Sequence, residues 1–75
     1  MTGTLIKRTI SLAGRRTSVA LEPEFWAALM HIATSRQQTL TALVAVADAR
    51  CPEGRPLASA LRVFALKEFF PQSLP

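Results

Sequence analysis

Residues 15–29 read RRTSVALEPEFWAAL, a stretch in which an alternating pattern gives way to a helical one. In its first part Thr17, Val19 and Leu21 fall on one face of a strand, and the residues between them fall on the other. The acid-proline-acid triplet at residues 22–24 then favours a helix start, because proline fits the first helical position and carboxylates stabilise the positive end of the helix dipole. The stretch therefore predicts a strand that leads directly into a helix.

A second alternating run, residues 4–12, precedes this strand and carries its apolar side chains on one parity. A two-residue loop at Ala13-Gly14 or at Gly14-Arg15 would pair the two runs with their apolar faces together. Two interpretations of residues 4–12 stay open. The segment is either the first strand of a hairpin or a mobile basic arm.

Three helices are predicted downstream of the second strand. The first covers residues 23 to about 36 and has a wide apolar face. Thr39 is a suitable N-cap for a second helix, which ends near residue 50. Two prolines and a glycine within residues 52–56 then enforce a turn, and a third helix is expected from about residue 56 to residue 69.

The composition limits the class of protein. The chain has 75 residues, 49% of them hydrophobic and 19% charged, which indicates one small folded domain rather than a disordered segment. The single cysteine excludes disulfides and a cysteine-rich metal site. Uncharged stretches are too short for a membrane span or a signal peptide, so we expect a cytoplasmic location. Because so small a core is marginal, association with a second chain is the expected source of further stability.

The positive charge is concentrated at one end of the chain. Residues 1–21 contain four basic residues and no acid, whereas residues 22–75 contain five of each sign, so the net charge of +4 belongs to the N-terminal segment. The four are Lys7, Arg8, Arg15 and Arg16. Positive charge without acidic interruption is typical of a phosphate-binding surface. Charge therefore favours a nucleic-acid partner over a non-binding terminus or a membrane-surface patch.

The order of these elements resembles the ribbon-helix-helix family, the Arc/MetJ/CopG-like DNA-binding proteins. The strings RRTSVALEPEFWAAL, TLTALV and LASALRVFAL look like a short bacterial branch of that family. The resemblance implies a mainly α fold with a short N-terminal β ribbon, a possible N-terminal β-hairpin and an additional C-terminal helix. It also implies a dimer in which one strand from each chain pairs, so that an intermolecular ribbon enters the DNA major groove.

The resemblance divides the chain into three parts. Residues 1–15 form a basic N-terminal arm or first hairpin strand, residues 16–50 the ribbon-helix-helix core, and residues 51–75 a turn and the C-terminal helix. Gln37 stands where a glycine often ends the first helix in relatives. This departure predicts a different geometry for the connection between the first two helices.

The resemblance also assigns roles to individual residues. The outward side chains of the strand would contact DNA bases, and these are Arg16, Ser18 and Ala20. Backbone phosphates would be contacted by basic residues and by the start of the second helix, namely Lys7, Arg8, Arg15, Thr39, Leu40 and Thr41. The dimer core would contain Thr17, Val19, Leu21, Phe25, Trp26, Leu29, Leu43 and Val44.

Other candidate residues have structural interpretations. His31 lacks a partner motif and is expected to be exposed, Cys51 is expected to be an incidental thiol, and Trp26 is expected to be buried. No arrangement typical of a catalytic nucleophile is present, so we expect no enzyme activity, no cofactor and no metal. The C-terminal aromatic residues could form a patch for a protein partner or a higher oligomer, and these are Phe64, Phe69 and Phe70.

The function predicted from the sequence is that of a homodimeric DNA-binding transcriptional regulator, a repressor that occupies operator DNA. Two alternatives stay open. One is the antitoxin of a toxin-antitoxin pair, whose C-terminal part would wrap the toxin. The other is an interaction module that uses the same dimer fold to dock a protein and does not bind DNA.

Overall fold

A computed structural model of the chain describes residues 4–69. It contains two strands followed by three helices: β1 (Ile6–Leu12), β2 (Arg15–Leu21), α1 (Pro23–Ser35), α2 (Leu40–Ala49) and α3 (Leu57–Phe69). The predicted fold class, a β ribbon followed by helices with an additional one at the C-terminus, is confirmed. No helix among these residues is both long enough and apolar enough to cross a membrane.

The two strands form an antiparallel hairpin within one chain, so the hairpin interpretation of residues 4–12 describes the structure. The register pairs Leu12 with Arg15, which leaves Ala13 and Gly14 as the loop. Both loop residues have positive φ, +50° and +83°, as a type I′ turn requires. Gly14 adopts this backbone freely, whereas Ala13 pays a steric cost of about 1 kcal/mol.

The core lies between one face of the hairpin and the helices. Four leucines, one from β2 and one from each helix, are completely buried there: Leu21, Leu29, Leu43 and Leu61. Of the eight residues assigned to a dimer core, six are buried within this single chain, and Thr17 and Phe25 are half-buried. Their contribution to a dimer stays a prediction.

The connection between α1 and α2 has the geometry that a glycine usually provides. Gln37 has φ +57°. Its backbone N–H donates to the Thr34 carbonyl oxygen at 3.0 Å, and the Gln38 N–H donates to that of Ala33 at 2.8 Å. This is the hydrogen-bond pattern of a Schellman motif. The expectation of a different geometry at Gln37 is therefore wrong, because the glutamine itself adopts the left-handed conformation.

Two ion pairs attach α3 to the rest of the domain. Arg62 donates from Nε and Nη2 to the Glu22 Oε1, each at 2.9 Å, and Arg36 Nη2 lies 2.6 Å from the Glu68 Oε2. The hydrogen bond from Arg62 is the main reason that the pKa of Glu22 lies below its usual range. α3 is thus joined to the chain at both ends of α1.

Candidate nucleic-acid interface

The outward face of the hairpin carries alternate residues of both strands. The register pairs Lys7 with Ala20, Thr9 with Ser18, and Ser11 with Arg16. Paired residues of an antiparallel sheet share a face. The alternate residues of both strands point to the opposite face, where Ile10 and Val19 are buried. All six outward residues are exposed except Ala20, which is half-buried. The face is thus polar, with two cations and no acid.

The three residues predicted to contact bases lie together on this face. Same-face neighbours along a strand are about 6.7 Å apart, and successive bases are about 3.4 Å apart along each DNA strand. The distance between successive outward residues of β2, which are Arg16, Ser18 and Ala20, therefore corresponds to about two base pairs. Arg16 has the geometry to donate two hydrogen bonds to one guanine, Ser18 can donate or accept, and Ala20 can contact a thymine methyl group.

The four basic residues of the N-terminal segment do not share one surface. Lys7 and Arg16 are on the outward face, whereas Arg8 pairs with Val19 and Arg15 pairs with Leu12 on the opposite face. The Arg8 guanidinium carbon lies 5.3 Å from the ring centroid of Trp26, which is a cation–π contact. The sequence prediction assigned Lys7, Arg8 and Arg15 together to phosphates because of their charge. The phosphate contacts of Arg8 and Arg15 stay predictions.

Trp26 holds the start of β1 against α1. Its side chain is 3% exposed, which confirms the predicted burial. The indole Nε1 donates a hydrogen bond of 2.8 Å to the carbonyl oxygen of Ile6. Because Ile6 precedes Lys7, this bond helps to fix the position of an outward cation.

The start of α2 presents backbone donors as expected for an anion site. The Thr39 Oγ1 accepts from the N–H of Ala42 at 3.1 Å, so Thr39 is the N-cap. Among the described residues, no hydrogen-bond acceptor meets the N–H groups of Leu40 and Thr41. These donors and the positive end of the helix dipole suit a phosphate group.

Sequence reasoning placed Thr9 and Ser11 on the polar parity of residues 4–12 but assigned them no role in DNA binding. Neither is charged, and the parity of β1 mattered only once its pairing with β2 was known. Their positions follow from the Ala13-Gly14 loop, which sets the register. Either of the two loops allowed by the sequence would put both residues on this face, so the signal was present in the alternating pattern itself.

The remaining candidates lie away from this face. His31 is exposed, as expected, and stacks on Phe69 with ring centroids 5.8 Å apart. Phe64 is half-buried beneath Arg36, whose guanidinium carbon lies 5.4 Å from the ring centroid. Phe70 lies outside the described residues. A patch formed by these aromatic residues stays a prediction.

A family model of the ribbon-helix-helix domain matches residues 5–69. Since this match covers most of the 75 residues, the chain belongs to the ribbon-helix-helix family, a family of DNA-binding regulators. Domains of this family are typically non-enzymatic and typically bind DNA as dimers. No curated protein and no solved structure matches the chain.

Proposed function

We propose that the protein is a homodimeric transcriptional repressor that reads operator DNA with the outward face of its β ribbon. One observation carries the proposal. On a ribbon-helix-helix fold, the hairpin face that is free of the core presents Arg16, Ser18 and Lys7, with no acid among its six residues. Occupation of operator DNA by such a dimer would exclude other proteins from the same groove.

The free edge of β2 suggests how two chains would combine. β2 pairs with β1 on one side only, so β2 of a second copy can add antiparallel on the other. In the resulting sheet the two copies of β2 are central. This central pair is the intermolecular ribbon that the sequence predicted.

The dimensions of DNA assign different roles to the central and flanking strands. Strands are about 4.8 Å apart and the major groove is about 12 Å wide, so it admits the central pair but not four strands. The central strands would bring Arg16, Ser18 and Ala20 to base edges. The flanking copies of β1 would then lie over the groove walls, with Lys7 near phosphate groups.

The proposal is tested by selecting preferred sites from random duplex DNA and comparing two adjacent arginines. Arg16→Ala should cost about 1–3 kcal/mol on the preferred site and leave little preference over scrambled DNA. Arg15→Ala is the matched control, because it removes the same charge from the opposite face. It should leave base preference intact.

Two results would contradict this assignment. One is an equal effect of both substitutions on preferred and scrambled duplexes, which would remove the base-reading role of Arg16. The other is no DNA binding even at low salt, which would favour the protein-docking alternative. The antitoxin alternative is less well supported, because α3 packs Leu61 and Ala65 into the domain's own core.

A further inference from the structure

An open cavity of about 250 Å³ lies where the end of α2, the following turn and α3 meet. None of the residues assigned to DNA bases or phosphates lines it. Its volume corresponds to about eight water molecules, which is below the range of drug-sized ligand sites. The cavity is therefore of a size for a small ligand.

Three cations and no carboxylate line this cavity. The cations are Arg50, Arg55 and Lys67. The ion pairs found within residues 4–69 involve Arg36 and Arg62 instead. Within the described residues no ion pair involves the three cations at the cavity, and their charge exceeds the partial negative charge of about half a unit at the end of α2. This excess positive charge favours the binding of an anionic ligand.

The rest of the lining is mostly apolar. It includes Ala47 from α2 together with Val63 and the ring of Phe64 from α3. Val63 is 37% exposed, so apolar surface remains available to a ligand there. Apolar walls beside clustered cations match a molecule that has an anionic group on a short hydrocarbon or aromatic body.

The geometry points to a binding site for a small organic anion, such as a short-chain or aromatic carboxylate, between α2 and α3. The anionic group lies among Arg50, Arg55 and Lys67, and the apolar body lies against Val63 and Phe64. This site is separate from the proposed DNA interface and does not depend on it.

Cys51 provides a direct test, because it lines the cavity and is the only cysteine of the chain. Its Sγ donates to the backbone carbonyl oxygen of Arg55 at 3.3 Å, so the thiol lies against the backbone of a residue that carries one of the cations. The full chain is alkylated with iodoacetamide at constant ionic strength, with hexanoate as the probe. With a dissociation constant on the order of 1 mM, hexanoate at about 10 mM should slow alkylation about tenfold.

Matched compounds separate the contributions of charge and apolar surface. Hexan-1-ol retains the apolar body without the charge, and inorganic phosphate retains negative charge without the body. Both should protect Cys51 much less than hexanoate does. Equal protection by either compound, or none by hexanoate, would overturn the proposal.

Matched variants test the role of the cations. Arg55→Gln and Lys67→Gln change exposed side chains and should each weaken protection by hexanoate at least about threefold. Arg15→Gln, on the hairpin, should leave protection unchanged. An equal loss in Arg15→Gln would show a non-specific charge effect. Protection of Cys51 by a short DNA duplex but not by hexanoate would assign the cations to DNA phosphates and overturn the small-molecule site.

Discussion

At the scale of single residues, the backbone conformation of Gln37 destabilises the protein, and a substitution can remove this destabilisation. A residue with a Cβ loses about 1–2 kcal/mol in the left-handed conformation, which Gln37 adopts at φ +57°. Gln37→Gly should therefore stabilise the protein by about 1 kcal/mol, measured by urea unfolding. Ala27→Gly, at an exposed position inside α1, should destabilise it by about the same amount. Destabilisation by both would contradict the left-handed conformation at Gln37.

At the scale of secondary-structure elements, one hydrogen bond from α1 holds the start of β1 against that helix. Trp26→Phe removes the indole donor to the Ile6 carbonyl oxygen and part of the buried ring, which should cost about 1–3 kcal/mol. Amide hydrogen exchange should accelerate most at the start of β1. Phe25→Leu serves as a control, because Phe25 packs against the core without bonding β1. An identical exchange pattern in both variants would rule out a specific role for the indole.

The attachment of α3 to the start of α1 predicts a pH dependence at the same scale. Glu22 has a lowered pKa in the folded state, mainly through its hydrogen bond from Arg62. Its contribution to stability is therefore complete above the ordinary carboxyl pKa and is lost as the pH falls through the lowered value. The free energy of unfolding, measured with urea between about pH 7 and pH 3, should decrease less on acidification in Glu22→Gln than in the unaltered protein. Glu53→Gln, which changes an exposed turn residue, should behave like the unaltered protein.

At the scale of the whole molecule, the division of the basic residues between two faces predicts the salt dependence of DNA binding. Only Lys7 and Arg16 are outward in each chain, so a dimer would bring four cations to phosphates or bases. A plot of the logarithm of the DNA association constant against the logarithm of salt concentration should then have a slope of about −4. A slope near −7 would add Arg8 and Arg15 to the contacts, and one shallower than about −2 would contradict cation-dominated binding.

The sequence predicted the order of elements and their ends closely, because these depend on local chemistry. Pro23 begins α1 and Thr39 caps α2, as expected from residues that act within one turn. Contacts between distant residues were beyond such reasoning. The bond from Trp26 to Ile6 joins residues 20 apart in the chain, and the cavity beside Cys51 exists only where α2 and α3 meet.

The closure of the hairpin within one chain distinguishes two kinds of strand pairing in the proposed dimer. Every strand pairing described for the ribbon is intramolecular, and the core closes without a second copy. The β1–β2 pairing therefore needs only one chain, whereas the β2–β2 pairing of the proposed dimer needs two. Under the proposed function, the intermolecular ribbon forms only when two chains associate, so operator occupancy would depend on chain concentration through dimerisation.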